Sequence, residues 1–147
     1  MIAGGCRCGA VRYTVARDTL PAAYACHCTD CQTWSGSAFS TQFFMAVEVL
    51  AVNGTVTEYG FVNPIGRFSV QRFCPTCHTR LYNTNDARPW LVNIRAGTLD
   101  DSARIDVPLH IWTRSKQPWM ILPATAECYP EAAPIAALER LAMLTSF

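Results

Sequence analysis

Residues 26–31 read Cys26-His27-Cys28-Thr29-Asp30-Cys31, and this stretch decides how the rest of the chain is read. Two similar groups flank it, Cys6-Arg7-Cys8 upstream and Cys74-Pro75-Thr76-Cys77 downstream. In an extended segment residues i and i+2 face the same side, so Cys6/Cys8 and Cys26/Cys28 can each present two thiolates to one ion. In the third group proline presets a turn that brings two sulfurs together. A thiolate-rich group favours tetrahedral zinc, with Zn–S of about 2.3 Å. An iron–sulfur cluster is the rival, and ordinary buried cysteines account poorly for three ligand-like groups. Seven ligands fill one four-ligand site and leave three for a second, which would keep a position open for water or substrate. Two zinc ions per chain are therefore expected. Spacing does not say which groups share an ion, and His27, His78 or His110 could close the second site. Strand alternation turns His27 away from Cys26 and Cys28, which favours a hydrogen-bonded structural histidine. Cys128 stands alone and reads as a free buried thiol.

The chain has 147 residues, half of them apolar, which suits a single zinc-binding domain over residues 1–147. Only 16% are charged and the net charge is +1. That balance excludes a protein built to neutralise many phosphates, so no nucleic-acid partner is expected. It also excludes disorder, which needs high net charge and few apolar residues. The apolar run from Phe43 to Val52 is broken by Glu48, so no membrane span is expected. Eight cysteines could instead form four disulfides in a secreted domain. Their clustering, and an N-terminus without a basic or apolar leader, point to metal ligands in a cytoplasmic protein.

Most segments read as short strands, so the expected fold is mainly β with a C-terminal helix. Val11, Tyr13 and Val15 alternate with polar residues. Phe39, Thr41, Phe43, Met45 and Val47 share one face of a longer strand. Asn53-Gly54 reads as a hairpin turn leading into a strand over Thr55 to Tyr59. Phe68 to Phe73 runs as a strand into Cys74, and Trp90 to Ala96 is another. Ile105 to Trp112 reads as a strand that Pro108 demotes to an edge. A helix is expected over about 131–146, with Pro134 in its first turn and Ile135, Leu138, Leu141, Ala142 and Thr145 on its apolar face. Met143 and Leu144 lie off that face and hint at a homodimer surface.

The cysteine groups, with Gly5-Cys6-Arg7-Cys8-Gly9-Ala10-Val11, Ser35-Gly36-Ser37-Ala38-Phe39 and Phe73-Cys74-Pro75-Thr76-Cys77, resemble the glutathione-dependent formaldehyde-activating enzyme family. Ala96-Gly97-Thr98-Leu99-Asp100, His110-Ile111-Trp112 and Lys116-Gln117-Pro118-Trp119 continue the likeness, which covers about residues 4–120. The resemblance implies several coiled, mostly antiparallel sheets around zinc (an Mss4-like fold). It implies a structural zinc on Cys6, Cys8, Cys74 and Cys77, and a catalytic zinc on Cys26, Cys28 and Cys31. The implied reaction is that of a carbon–sulfur lyase joining glutathione to formaldehyde as S-hydroxymethylglutathione. Two positions depart from the family. His78 stands where a glycine is usual, at a position expected to need φ > 0. Gln32 stands where the family often has arginine, which weakens the case for an anionic thiol.

The chemistry expected at a three-thiolate zinc is deprotonation of a small thiol for reversible addition to a small aldehyde. Trp34, Phe39, His110, Trp112 and Lys116 are candidate neighbours, although a core role is favoured for each aromatic and a surface role for Lys116. The alternative is a non-enzymatic, zinc-stabilised module that binds a protein partner; a fourth ligand closing the second site would favour it. Zinc-hydroxide hydrolysis would need a general base, and only Asp30 is near, where it more often bonds backbone in a turn.

Overall fold

A computed structural model describes residues 1–142 of the chain. The strands, in chain order, are β1 (Ile2–Gly5), β2 (Arg12–Val15), β3 (Tyr24–Cys26), β4 (Ser40–Ala46), β5 (Leu50–Asn53) and β6 (Thr57–Val62). They continue with β7 (Phe68–Phe73), β8 (Arg80–Asn85), β9 (Leu91–Arg95), β10 (Leu109–Ile111) and β11 (Glu127–Cys128). The helices are α1 (Thr29–Ser35) and α2 (Ile135–Ala142). A three-stranded sheet runs β1-β2-β5, and an eight-stranded sheet runs β11-β10-β3-β4-β9-β8-β7-β6. Pairing is antiparallel except where β10 meets β3 and β11. The fold is thus mainly β, as expected.

The alternation in β2 places Tyr13 and Val15 in the core and Arg12 and Thr14 outside. Tyr13, Val15, Phe43, Met45, Val92 and Ile94 share one core cluster, which fills the space between the two sheets. The central strands are covered on both faces. In β9 every residue is buried. Val92 and Ile94 enter the core, while Asn93 and Arg95 line a cavity on the opposite face. Strand β4 behaves alike: Phe43 and Met45 point one way, Gln42 and Phe44 the other. The period-2 geometry of a strand enforces this division.

Four expectations are corrected. Asn53-Gly54 does not turn a hairpin, because β5 pairs with β2 in the small sheet and β6 pairs with β7 in the large one. Gly54 is instead the crossing point between sheets, at φ +102°, where an added Cβ would lie 2.2 Å from the Ala10 carbonyl oxygen. The strand expected over Ile105 to Trp112 shrinks to Leu109–Ile111, and it is interior, since β10 lies between β3 and β11. Pro108 comes just before it, so the missing N–H costs no ladder bond. Helix α2 starts at Ile135, which is exposed, while Ala137 and Leu138 are buried; the apolar face is narrower than its sequence suggested. Cys128 is exposed, on the edge strand β11. Met143, Leu144 and Thr145 lie outside the described residues.

Candidate metal centres and the adjoining cavity

The seven clustered cysteines form two groups, Cys6/Cys8/Cys74/Cys77 and Cys26/Cys28/Cys31, with all sulfurs of a group within 4.8 Å of one another. All eight cysteines are free thiols, so the disulfide alternative does not hold. In the first group Cys8 Sγ lies 3.5 Å from Cys6 Sγ and 3.7 Å from Cys74 Sγ. Tetrahedral zinc with four Zn–S bonds needs sulfurs about 3.8 Å apart. The donor set therefore fits a zinc ion by both chemistry and size.

The loop between β1 and β2 carries Cys6 and Cys8, where the Val11 N–H donates to Cys6 Sγ at 3.2 Å. The turn between β7 and β8 carries the other pair. The His78 N–H donates to the Cys74 carbonyl at 2.9 Å, and His78 takes φ +59°. The positive φ expected from the usual glycine is thus adopted by histidine, whose exposed ring joins neither cysteine group. The Thr79 hydroxyl and backbone hold the Cys77 thiol well below its ordinary value, at about 5.

In the second group, Cys26 ends β3, Cys28 caps α1, and Cys31 lies in the helix's first turn. The Cys31 N–H donates to Cys28 Sγ at 3.4 Å. A seven-residue helix thus turns the third thiol back onto the first two. All three are buried. Hydrogen bonds from Cys26 and Cys28 hold the Cys31 thiol down, to about 2, and Arg95 and Arg80 add to this by their charge. The same contacts push the Cys26 thiol up, because neighbouring sulfurs disfavour a second negative charge. Among the described residues no fourth cysteine, histidine or carboxylate joins these three sulfurs. His27 points away, as alternation requires, and its Nε2 meets His110 Nδ1 at 2.9 Å. Burial, with His110 beside it, pulls the His27 imidazole down to about 4, so this pair is neutral at physiological pH.

The three sulfurs open onto a cleft of about 170 Å³ whose mouth meets solvent. Trp34, Trp112 and Asp30 line it, whereas Phe39 faces away against His27 at 5.3 Å between ring centroids. Lys116 does not reach it; its ammonium donates to the Gln117 and Met120 carbonyls at 3.2 and 2.7 Å. The sequence reading missed the floor of the cleft. Gln42, Gln71, Asn83, Asn93, Arg80 and Arg95 all line it from strands β4, β7, β8 and β9. Arg80 reaches the same side as Asn83 because the β7–β8 register slips: Arg72 pairs with Tyr82 but Phe73 with Arg80. Arg80 lies flat on Trp34, 4.3 Å from the ring centroid. The available signal was polar residues alternating with Val92 and Ile94 in an otherwise apolar strand.

The family model described as "Glutathione-dependent formaldehyde-activating enzyme" matches residues 1–115. No curated protein is similar enough in sequence to match. Among solved structures, a crystal structure of a Rhodobacter sphaeroides protein is similar at 21% identity and a TM-score of 0.54. The likeness covers 67% of this chain and 88% of that one, and it supports the fold alone.

Proposed function

The chain belongs to the glutathione-dependent formaldehyde-activating enzyme family, and from that premise we propose that it is a zinc-dependent carbon–sulfur lyase activating a small thiol for reversible addition to a small aldehyde, glutathione and formaldehyde being the family pair. Cys6, Cys8, Cys74 and Cys77 would hold a structural zinc, and Cys26, Cys28 and Cys31 a catalytic one. A single domain over residues 1–147 carries both. The observation that supports this reading is the contrast between a four-sulfur group and a three-sulfur group that opens onto a cleft.

When bound by three thiolates, zinc supplies an open position and lowers the pKa of an approaching thiol. The residues of the chain do the rest. Cys26, Cys28 and Cys31 fix the approach from one wall, because strand β3 and helix α1 hold all three in place. Trp34 and Phe44 line the cleft and give it an apolar wall beside the sulfurs. The thiol gives its S–H proton to solvent, an S–C bond forms to the aldehyde carbon as the C=O π pair moves to oxygen, and that oxygen takes up a proton from solvent to give the thiohemiacetal. The reverse sequence releases the aldehyde. Among the described residues no carboxylate joins the three-sulfur group, which favours thiol addition over hydrolysis, since hydrolysis needs a base beside the metal.

The test is NMR exchange between formaldehyde and a series of thiols, with the native protein and with Cys31→Ser. Faster exchange with the native protein supports the reading. Equal rates for every thiol would sink it and leave the protein-binding module as the better account.

A further inference from the structure

The floor of the cleft carries two positively charged side chains, Arg80 and Arg95, with the Cys31 sulfur as the nearby acidic group. Arg95 is 6% exposed and Arg80 is largely enclosed. Neither makes an ion pair with a carboxylate among the described residues. Both lean on one neutral acceptor: Gln71 Oε1 receives Arg80 Nε at 2.7 Å and Arg95 Nη2 at 3.1 Å. Arg95 Nη2 also donates to Asn83 Oδ1. This arrangement fixes two guanidiniums side by side and leaves their other faces unused. Arg80 Nη1, Arg95 Nε and Arg95 Nη1 are buried without a partner. So are two acceptors on the same floor, Gln42 Oε1 and Asn93 Oδ1. Asn93 Oδ1 is free because its amide N–H₂ is spent on the Tyr24 hydroxyl at 2.8 Å.

A buried unpartnered polar atom forfeits its hydration without a replacement bond, and native folds leave few of them. Of the six such side-chain atoms among the described residues, only His27 Nδ1 lies off this cleft. Their concentration on one surface is the mark of a recognition site. Nor do the thiolates neutralise it: three of them on one divalent ion leave one negative charge against two guanidiniums. The three unused donors match a carboxylate, which takes several N–H bonds at once from planar guanidiniums. The two unused acceptors match N–H groups of an amide or amine beside it.

We propose that Arg80 and Arg95 form a clamp that grips a carboxylate of the thiol substrate at the floor of the cleft, with Gln42 and Asn93 accepting an adjacent N–H. The clamp rests on the proposed thiol chemistry for its purpose but not for its test. It also resolves the Gln32 departure, because the cations come from strands β8 and β9 instead of from helix α1. Gln32 is occupied elsewhere, its Nε2 donating to the His27 and Ser115 carbonyls at 2.8 and 2.9 Å.

The experiment uses zinc-loaded protein and S-methylglutathione, a thioether that cannot be deprotonated, so that binding is read apart from thiol activation. Calorimetric titration should give saturable binding. The dimethyl ester of the same probe should bind about ten- to hundred-fold more weakly, the usual worth of charge-assisted hydrogen bonds. Arg80→Gln and Arg95→Gln should each weaken the acid by about tenfold or more and leave the ester unchanged. Arg95→Gln is the variant at risk of misfolding; Arg80→Gln and the acid–ester comparison on native protein keep the test decisive. Equal affinity of acid and ester, or native affinity in folded Arg80→Gln, overturns the clamp. Thiol exchange that persists while the thioether acid fails to bind would overturn the clamp and leave the thiol reading standing.

Discussion

Cutting one metal link should unravel the protein far more than cutting the other. In the four-sulfur group, Cys8 and Cys74 are 66 residues apart in the chain and 3.7 Å apart in space. In the three-sulfur group, Cys26 and Cys31 are five residues apart. A link restricts the unfolded chain more when it closes a longer loop. Chain-entropy arithmetic gives about 4 kcal/mol for a 66-residue loop and about 2 kcal/mol for a five-residue one. The comparison needs two double variants, Cys74→Ala with Cys77→Ala, and Cys28→Ala with Cys31→Ala. Cys28 and Cys31 are both buried, whereas Cys77 is only half-buried. Lost packing is therefore no smaller for the middle pair, and an excess loss in the other variant reports the loop. Stability totals only about 5–15 kcal/mol for a domain, so losing about 4 of it is severe. The difference of about 2 kcal/mol corresponds to roughly 4–8 °C in Tm at this size. Urea unfolding and thermal melts of zinc-loaded samples, followed by circular dichroism, measure it. Equal destabilisation, or a larger loss from the middle pair, would refute both the loop argument and the division of the groups into structural and catalytic.

Gly54→Ala should destabilise by more than about 2 kcal/mol, since a positive φ and a collision with the Ala10 carbonyl act together; a near-native urea midpoint would contradict the sheet-crossing role given to this residue. His78→Gly should change stability by less than about 1 kcal/mol, because relief of left-handed strain is offset by greater unfolded-state freedom. A large loss there would mean that the imidazole has a role of its own. Gln32→Ala removes three side-chain hydrogen bonds, one to the His27 carbonyl and two that tie α1 to Ser115 and Gln117, so a loss of about 1–3 kcal/mol in stability is expected. Its KM for the thiol should stay near native, and a rise of tenfold would place Gln32 in the substrate's path. Elemental analysis of protein purified without chelator should give close to two zinc ions per chain, and a folded, metal-free protein would remove the premise of both sites.

What was legible in the sequence was what is local. Cys26, Cys28 and Cys31 sit within one turn of chain, so their spacing forces them together whatever the fold does. Tyr13 and Val15 announce a half-buried strand because their outward neighbours face water. The Asn53-Gly54 hairpin failed for the complementary reason. Asn-Gly favours a tight turn, but whether two strands pair across it depends on partners elsewhere, and Arg12 to Val15 claimed β5. The pattern at Ile105 to Val107 was likewise real as burial and wrong as a strand: Ile105 and Val107 pack on the core from a loop. Apolar spacing reports contact with a core, and only the ladder decides whether that contact comes from a strand.

The reading of Gln32 as a missing cation weighs one position of the motif, whereas the cleft takes its cations from other strands. Gln32 is polar but uncharged, and a motif read along the chain makes that the loss of a cation. In the fold, helix α1 turns Gln32 towards Ser115, and the positive charge arrives from Arg80 and Arg95, one on β8 and one on β9. These positions suit a clamp better than a helix position does. Strands β8 and β9 are hydrogen-bonded neighbours, paired at Tyr82–Ile94 and Asn83–Asn93, and the Arg95 guanidinium donates across them to Asn83 Oδ1. Gln71 from the next strand then locks both guanidiniums in orientation, and Trp34 stacks on one of them. Burial and the neighbouring Arg95 pull the Arg80 guanidinium down, to about 9, the mark of two cations held together in a dry place. Among the described residues no carboxylate pairs with either guanidinium, and the Cys31 thiol is the acidic group that offsets part of the repulsion. Such an arrangement makes physical sense when the compensating charge comes with the ligand, because affinity for an anion is then built into the unliganded fold.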